Sequence, residues 1–274
     1  MKDYFKEKVA LISGASRGVG FALAKRLVKA GAKVIITARG EKRLLDSEKK
    51  LKELGGEVVS VVGDVGRWGD AERMVRTAVD SFGRLDIVVN NAGVSMRGRF
   101  DELSPEVCRN VVETNLMGSI YLSRAGIPYL KKTKGHLIFI SSIAGLFGLP
   151  VASIYCASKG GLKGLCESLR LELAKDGVHI GIVYLGYTEH DPDKRIILAD
   201  GTLAPPGRPA HHSQDYAASI IFHLIEKRRR EVVMTPIGKF GYYVYRFLPG
   251  FVERAILFAQ ARNLSIYRRF SGEG

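Results

Sequence analysis

The chain reads as an α/β protein built on a single doubly wound sheet of about seven parallel strands flanked by helices. Three features of the sequence lead there. Short apolar runs rich in Val and Ile alternate with longer stretches whose apolar residues recur at helical spacing. The short runs are apolar throughout, the pattern of strands covered on both faces. Several of the longer stretches stop at a glycine: Gly31, Gly83 and Gly177. Strand and helix in regular alternation give a parallel sheet with helices on each side, because its crossovers are right-handed.

The elements follow in order. VALIS (9–13) is the first strand and runs into the glycine-rich turn SGASRGVG. FALAKRLVKAG supplies the first helix. KVIIT (33–37) and VVSVVG (58–63) are the next two strands. The amphipathic AERMVRTAVDSFG leads to DIVVN (86–90), the fourth. HLIFIS (136–141), HIGIVYL (179–185) and EVVMT (231–235) complete the seven. The residues around SIYCASKGG (153–161) read as helix before the sixth strand. No linker or repeat divides the chain, so residues 1–236 are expected to form one catalytic domain, followed by an aromatic and basic extension over 237–274. Residues 187–212 lack regular periodicity, contain PPGRP, and follow the sixth strand where an open sheet places its ligand crevice. A mobile lid over the substrate is expected there.

Composition narrows the function. With 274 residues and 46% hydrophobic content the chain can bury a large core. No apolar run is long enough to span a membrane. The opening MKDYFKEKVALISG does not resemble a signal peptide, because Asp3 and Glu7 interrupt it. Cys108, Cys156 and Cys166 have no metal-ligand spacing and are expected as free thiols in a reducing, cytoplasmic compartment. The histidines show no ligand spacing either, so no metal is expected. The net charge is +14, and residues 194–274 carry 13 Lys/Arg against 6 Asp/Glu. A basic surface attracts nucleic acid, anionic lipid or a phosphorylated small molecule. The one compact basic run, EKRRRE (226–231), is flanked by acids and matches no nucleic-acid motif, so no nucleic-acid partner is expected.

Gly14, Gly18 and Gly20 stand between the first strand and its helix in the spacing G-x3-G-x-G. Glycines there let the backbone turn tightly against a pyrophosphate while the helix presents its free N–H groups. The second strand ends in IITARGEKR, with Arg39 where a ribose-binding acid would repel a 2′-phosphate, and Arg17 lies in the glycine turn. Two guanidiniums suit a phosphate dianion, so the sequence favours NADP(H) over NAD(H). Further on, SIYCASKGG places Tyr155 four residues before Lys159, on one helical face. A tyrosine normally titrates near pH 10, and an adjacent ammonium lowers that value toward useful acid–base chemistry.

Together these residues resemble the short-chain dehydrogenase/reductase family over roughly residues 6–236. GASRGVG, with Ser16, Arg17 and Val19 among its glycines, looks like that family's cofactor loop. GDV resembles its adenine-contacting segment, here Asp64 and Val65. NNAG matches its motif after the fourth strand, bringing in Asn91, Ala92 and Gly93. TNLMGS matches its helix asparagine, Asn115. ISS and YCASK match its serine and Y-x-x-x-K elements, and the 13-residue spacing to Tyr155 selects Ser142 over Ser141. The family often has Pro-Gly-x-Thr after the sixth strand. This chain has LGYT (185–188), keeping Gly186 and Thr188 but not the proline.

The resemblance implies a Rossmann-type fold and hydride transfer between NADP(H) and a ketone or secondary alcohol. Tyr155 would exchange the proton, and Lys159 would also hold the nicotinamide ribose. Ser142 would polarise the substrate oxygen, and Asn115 would complete a proton path through water to Lys159. Thr188 would hold the carboxamide. A homodimer or homotetramer is implied, with Gly160 and Gly161 allowing another backbone to approach. The alternative reading is a non-catalytic NADP(H)-binding sensor. In the extension, Phe240, Tyr242, Tyr243, Tyr245, Phe247, Phe251 and Phe258 accompany Lys239, Arg246, Arg254, Arg262, Arg268 and Arg269. That mixture suits a membrane interface, and with it a lipid- or steroid-like substrate; the competing reading is a tail packed on its own domain or on a neighbouring subunit, because aromatic stripes are usually core.

Overall fold

The computed structural model describes residues 4–207 and 211–262. Arg268 and Arg269 lie outside the described residues. Seven strands form the main sheet: β1 (Val9–Ser13), β2 (Lys33–Ala38), β3 (Val58–Val62), β4 (Ile87–Asn90), β6 (His136–Ser142), β7 (His179–Leu185) and β10 (Glu231–Val233). A second, small sheet holds β5 (Met96–Arg97), β8 (Ile196–Leu198) and β9 (Leu203–Ala204). The helices are α1 (Gly18–Lys29), α2 (Glu41–Lys52), α3 (Trp68–Phe82), α4 (Pro105–Val112), α5 (Gly118–Thr133), α6 (Ser153–Glu172), α7 (Gln214–Glu226), α8 (Pro236–Phe247) and α9 (Pro249–Ala261).

The main sheet runs β3-β2-β1-β4-β6-β7-β10, with every pairing parallel. The order reverses between β1 and β4, which opens a crevice at their carboxyl ends. Two apolar layers cover the sheet. Leu23, Leu27 and Leu44 pack with Ile221 and Leu224 on one face. Met74, Val75 and Leu122 pack with Leu162 and Cys166 on the other. The central strands β1, β4, β6 and β7 are buried nearly throughout, while the edge strands β3 and β10 are only partly covered.

Two elements differ from the sequence reading. Residues 187–212 are not wholly irregular: β8 and β9 pair within them, and β8 also pairs with β5. Strands of two or three residues leave no periodicity to read. The last strand stops at Val233, because Thr235 caps α8 by accepting a hydrogen bond from the Gly238 N–H at 3.0 Å, and Pro236 begins the helix. The basic run at 226–231 has structural work. Arg228 donates to the carbonyls of Lys134 and Gly177, and the Arg229 and Arg230 carbonyls accept from His179 and Arg170.

Beneath the sheet end lies a buried polar chain. The Arg229 carbonyl can only accept, so His179 donates from Nε2 and is left to accept at Nδ1. His136 Nδ1 then donates to His179 Nδ1 at 3.0 Å, and the Tyr4 hydroxyl donates to His136 Nε2 at 2.8 Å. Burial drives both rings toward the neutral form, His136 down to about 2 and His179 down to about 4.

Candidate active site

A cavity of about 1080 Å³ opens along the crevice, at the top of the range for ligand pockets. Its floor begins with the turn after β1. Gly14 and Gly18 adopt φ of +65° and +64°, which glycine accepts without strain. A Cβ at Gly14 would fall 2.8 Å from the Ala92 Cα, so the turn and the segment after β4 touch backbone to backbone. Ser13 Oγ accepts from the Asn91 and Ala92 N–H groups, and Asn91 Nδ2 donates to the Ser13 and Gly14 carbonyls. The Asn91 amide therefore clamps the turn. Gly14, Ser16, Gly18, Val19, Asn91, Ala92 and Gly93 all line the cavity.

Gly20 does not line it. It sits behind the turn, where a Cβ would meet Asn91 Nδ2 at 2.5 Å. No side chain caps the start of α1 and its first turn holds no acid, so its N–H groups and positive end remain available to an anion.

The end of the cavity beside the glycine turn is cationic. Arg17 and Arg39 both line it, with Asp64 and Val65. Arg39 lies 3.8 Å from Asp64. Arg17 pairs with Asp193 at 3.0 Å, and Arg43 pairs with the other oxygen of the same carboxylate. One acid, Asp193, thus bridges two guanidiniums beside the glycine turn. Lys194 follows it into the cavity, where burial and then Arg17 push its ammonium below the ordinary lysine value.

Ser142, Tyr155 and Lys159 share the opposite wall. Ser142 ends β6 and its Oγ accepts from the Ala144 N–H at 3.2 Å. Ser141 faces inward and donates to the Lys159 carbonyl at 2.9 Å. Tyr155 is half-buried in the first turn of α6, and Lys159, one turn later, is 5% exposed. Lys159 Nζ donates to the Ile140 carbonyl at 2.9 Å. Burial, with Lys194 nearby, lowers its pKa to about 8, so it is still a cation at neutral pH. A Cβ at Gly93 would lie 3.3 Å from that Nζ. Glycine there leaves the ammonium reachable from the cavity.

Asn115 lies behind the cavity wall. It is fully buried in a π-turn, Glu113–Met117, and does not line the cavity. Its Nδ2 donates to the Val94 carbonyl and Ser158 Oγ, and its Oδ1 accepts from the Val94 N–H. The side-chain amide thereby holds the Val94 segment against α6. Gly160 and Gly161 likewise face their own chain, against Gly145 and Leu116. Gly186 and Thr188 both line the cavity, and Thr188 Oγ1 donates to the Gly186 carbonyl at 3.1 Å. A bridge from Thr188 to His212 ties the two ends of the lid together.

Met96, Leu149, Val151, Ala152 and Ile196 also line the cavity, together with Ser95, Arg97 and His190. Val151 holds a φ of +55°, a costly posture for a β-branched residue. Its carbonyl accepts from the Gly98 N–H at 3.0 Å, and Leu149 and Ala152 are buried on either side.

Arg43, Asp193 and Lys194 escaped the sequence reading. Arg43 had a signal, since it falls one helical turn after Arg39 beside the glycine turn. Asp193 had none, because it reaches Arg43 across 150 residues.

The residues present fit a nicotinamide dinucleotide: a backbone cradle that a Cβ would fill, an open helix start, and cations at one end. Comparison with known proteins agrees. The family model for short chain dehydrogenase matches residues 8–198. An uncharacterized oxidoreductase of Thermotoga maritima is 34% identical over 80% of this chain and 90% of its own. 11-beta-hydroxysteroid dehydrogenase 1A of Arabidopsis thaliana is 41% identical over 67% of this chain, which spans 53% of that protein's length. A Burkholderia phymatum short chain dehydrogenase/reductase solved with NAD superposes with a TM-score of 0.80 at 24% identity, covering 88% of this chain and 94% of its own. A metagenomic short-chain oxidoreductase solved with NADP gives 0.70 at 28%, covering 85% and 98%.

Proposed function

The chain belongs to the short chain dehydrogenase family, and from that membership we propose an NADP(H)-dependent carbonyl reductase or alcohol dehydrogenase acting on a ketone or secondary alcohol with a large apolar body. The observation that carries this reading is one cavity wall presenting Ser142, Tyr155 and buried Lys159 opposite a cradle flanked by Arg17 and Arg43. When bound, the nicotinamide supplies or takes up the hydride. The chain's own residues supply placement and the proton. Ser142 Oγ orients the substrate oxygen. Tyr155 gives that oxygen a proton as the carbonyl carbon is reduced, and takes it back in the reverse direction. Lys159 keeps positive charge beside the phenol and favours its ionised form. Asn115 is a positioning residue that holds α6 against the Val94 segment.

Two further points support the finer assignment. The paired guanidiniums suit a 2′-phosphate, and a relative solved with NADP shares the fold. Met96, Leu149 and Ile196 give the cavity apolar lining, and a relative is named for hydroxysteroids. For assembly, we infer a homodimer through α5 and α6, whose shared groove of about 630 Å³ is lined by Ile120, Ile127, Leu165 and Leu169. Light scattering on the full chain measures it, and a monomer rejects it. The experiment for the function is a panel of ketones and alcohols, short to steroid-sized, with NADPH and NADH. Turnover should rise with apolar bulk and prefer NADPH. Tight NADPH binding with no turnover on any of them favours the non-catalytic sensor.

A further inference from the structure

The two helices that end the described chain carry a dense cluster of exposed apolar side chains among the described residues. Among the described residues, eight of the fifteen exposed large hydrophobic side chains fall within 237–258. On α8 they recur at Ile237, Phe240, Tyr243 and Phe247, a helical stripe, with Ile237 85% exposed and Phe247 74%. Phe251, Leu257 and Phe258 continue it along α9. Cations flank the stripe. Residues 236–262 hold Lys239, Arg246, Arg254 and Arg262 against one carboxylate, Glu253. Arg262 stacks over the Phe258 ring at 4.4 Å.

The pair is not a loose appendage. Tyr245 Oη donates to Glu253 at 3.3 Å, joining α8 to α9. The Tyr245 ring lies 5.9 Å from Phe147, and a Cβ at Gly238 would fall 3.0 Å from Ile143. Ile143 lines the cavity, and Phe147 packs on its Leu149 corner. The apolar stripe therefore begins at the rim of the substrate end.

We propose that α8 and α9 form a docking face for an anionic lipid bilayer, entered in the plane of the interface by their aromatic stripe and held by Lys239, Arg246 and Arg254. Aromatic residues at headgroup depth with cations alongside are the chemistry such a surface selects. No helix among the described residues is long and apolar enough to cross a membrane, so the contact is interfacial. Charge argues against a second copy as the occupant. A twofold contact sets each patch against itself, and this patch is cationic with a single acid to answer it. Because the face adjoins the cavity rim, a docked molecule opens its substrate end beside the bilayer. That consequence alone rests on the apolar-substrate reading above; the docking does not.

The test is sedimentation of the full chain with vesicles of phosphatidylcholine alone and of phosphatidylcholine with phosphatidylserine. The chain should pellet with the anionic vesicles and stay in solution with the neutral ones. Changing Phe240, Phe247 and Phe251 together to Ser should abolish pelleting. Each of Arg246→Glu and Arg254→Glu should lower partitioning roughly fivefold or more. These side chains are exposed, so folding is preserved. Turnover of a small soluble ketone, measured on every variant, should not change, and it reports the chemistry separately from the docking. The proposal is overturned if the wild type stays in solution with both vesicles, or if the triple variant pellets as well as the wild type. It is equally overturned if the wild type is a dimer that the triple variant converts to monomer.

Discussion

Replacing Arg43 by Gln tests the cofactor end of the cavity most sharply. Arg17 and Arg43 hold the two oxygens of Asp193, and these arginines are 36% and 47% exposed. A sheltered charge-assisted hydrogen bond contributes about 1.5–3 kcal/mol and an exposed ion pair about 0–1. At this partial exposure, each arginine is expected to contribute about 1–1.5 kcal/mol toward a 2′-phosphate. Arg43→Gln should therefore raise the Kd for NADPH about five- to tenfold. NADH has no such phosphate, so its Kd should move less than about twofold. Asp193 supplies the opposite perturbation. Its carboxylate competes for both guanidiniums, and Asp193→Asn should tighten NADPH about threefold, most clearly at low salt. Titration of intrinsic and NADPH fluorescence reads all of these constants. An Arg43→Gln protein that binds NADPH unchanged, or that weakens NADH equally, refutes the reasoning.

Acid should destabilise the protein through the buried histidine pair. Both rings titrate below the ordinary value of 6.5 in the folded chain, so the unfolded chain binds more protons and stability is fully present only above that value. As pH falls from 6.5 to 5 the pair should lose up to about 4 kcal/mol, seen as a lower urea midpoint; a midpoint unchanged over that window contradicts the buried neutral chain. NADPH-dependent reduction should decline as pH rises through about 8, where Lys159 loses its proton, and Lys159→Arg should carry that limb upward. A profile flat across that range removes the requirement for the cation. Gly14→Ala forces a side chain into a φ of +65° and to within 2.8 Å of Ala92. It should cost about 2 kcal/mol or more and weaken NADPH binding, with a thermal midpoint lowered by several degrees; an unchanged midpoint and affinity contradict the close packing.

Most of the sheet was legible because parallel strands buried on both faces are apolar along nearly their whole length. Val9 to Ser13 and His179 to Leu185 have no other way to sit between two helical layers. The glycine turn was legible for a related reason. Glycine adopts the positive φ at positions 14 and 18 without strain, so the requirement appears as letters in the chain. The small second sheet was not readable, since Met96–Arg97 finds Ile196–Leu198 only after the lid folds back. Asn115 shows a subtler limit. Its type and place were evident, but the direction of its amide is set by Val94 and Ser158, distant in sequence. Gly160 and Gly161 signalled close packing without naming the neighbour, which is the chain's own Leu116 and Gly145. Arg43 belonged to a run that reads equally well as a solvated helix start, and only the approach of Asp193 distinguishes it.

The heart of the account is a phenol on α6 that trades its proton with a carbonyl oxygen beside a seated dinucleotide. Tyr155→Phe removes that hydroxyl and little else. Stopped-flow and steady-state measurements with NADPH and the best ketone of the panel should find NADPH bound with wild-type affinity and turnover reduced by at least about a hundredfold. Turnover within a fewfold of wild type would contradict the assignment outright.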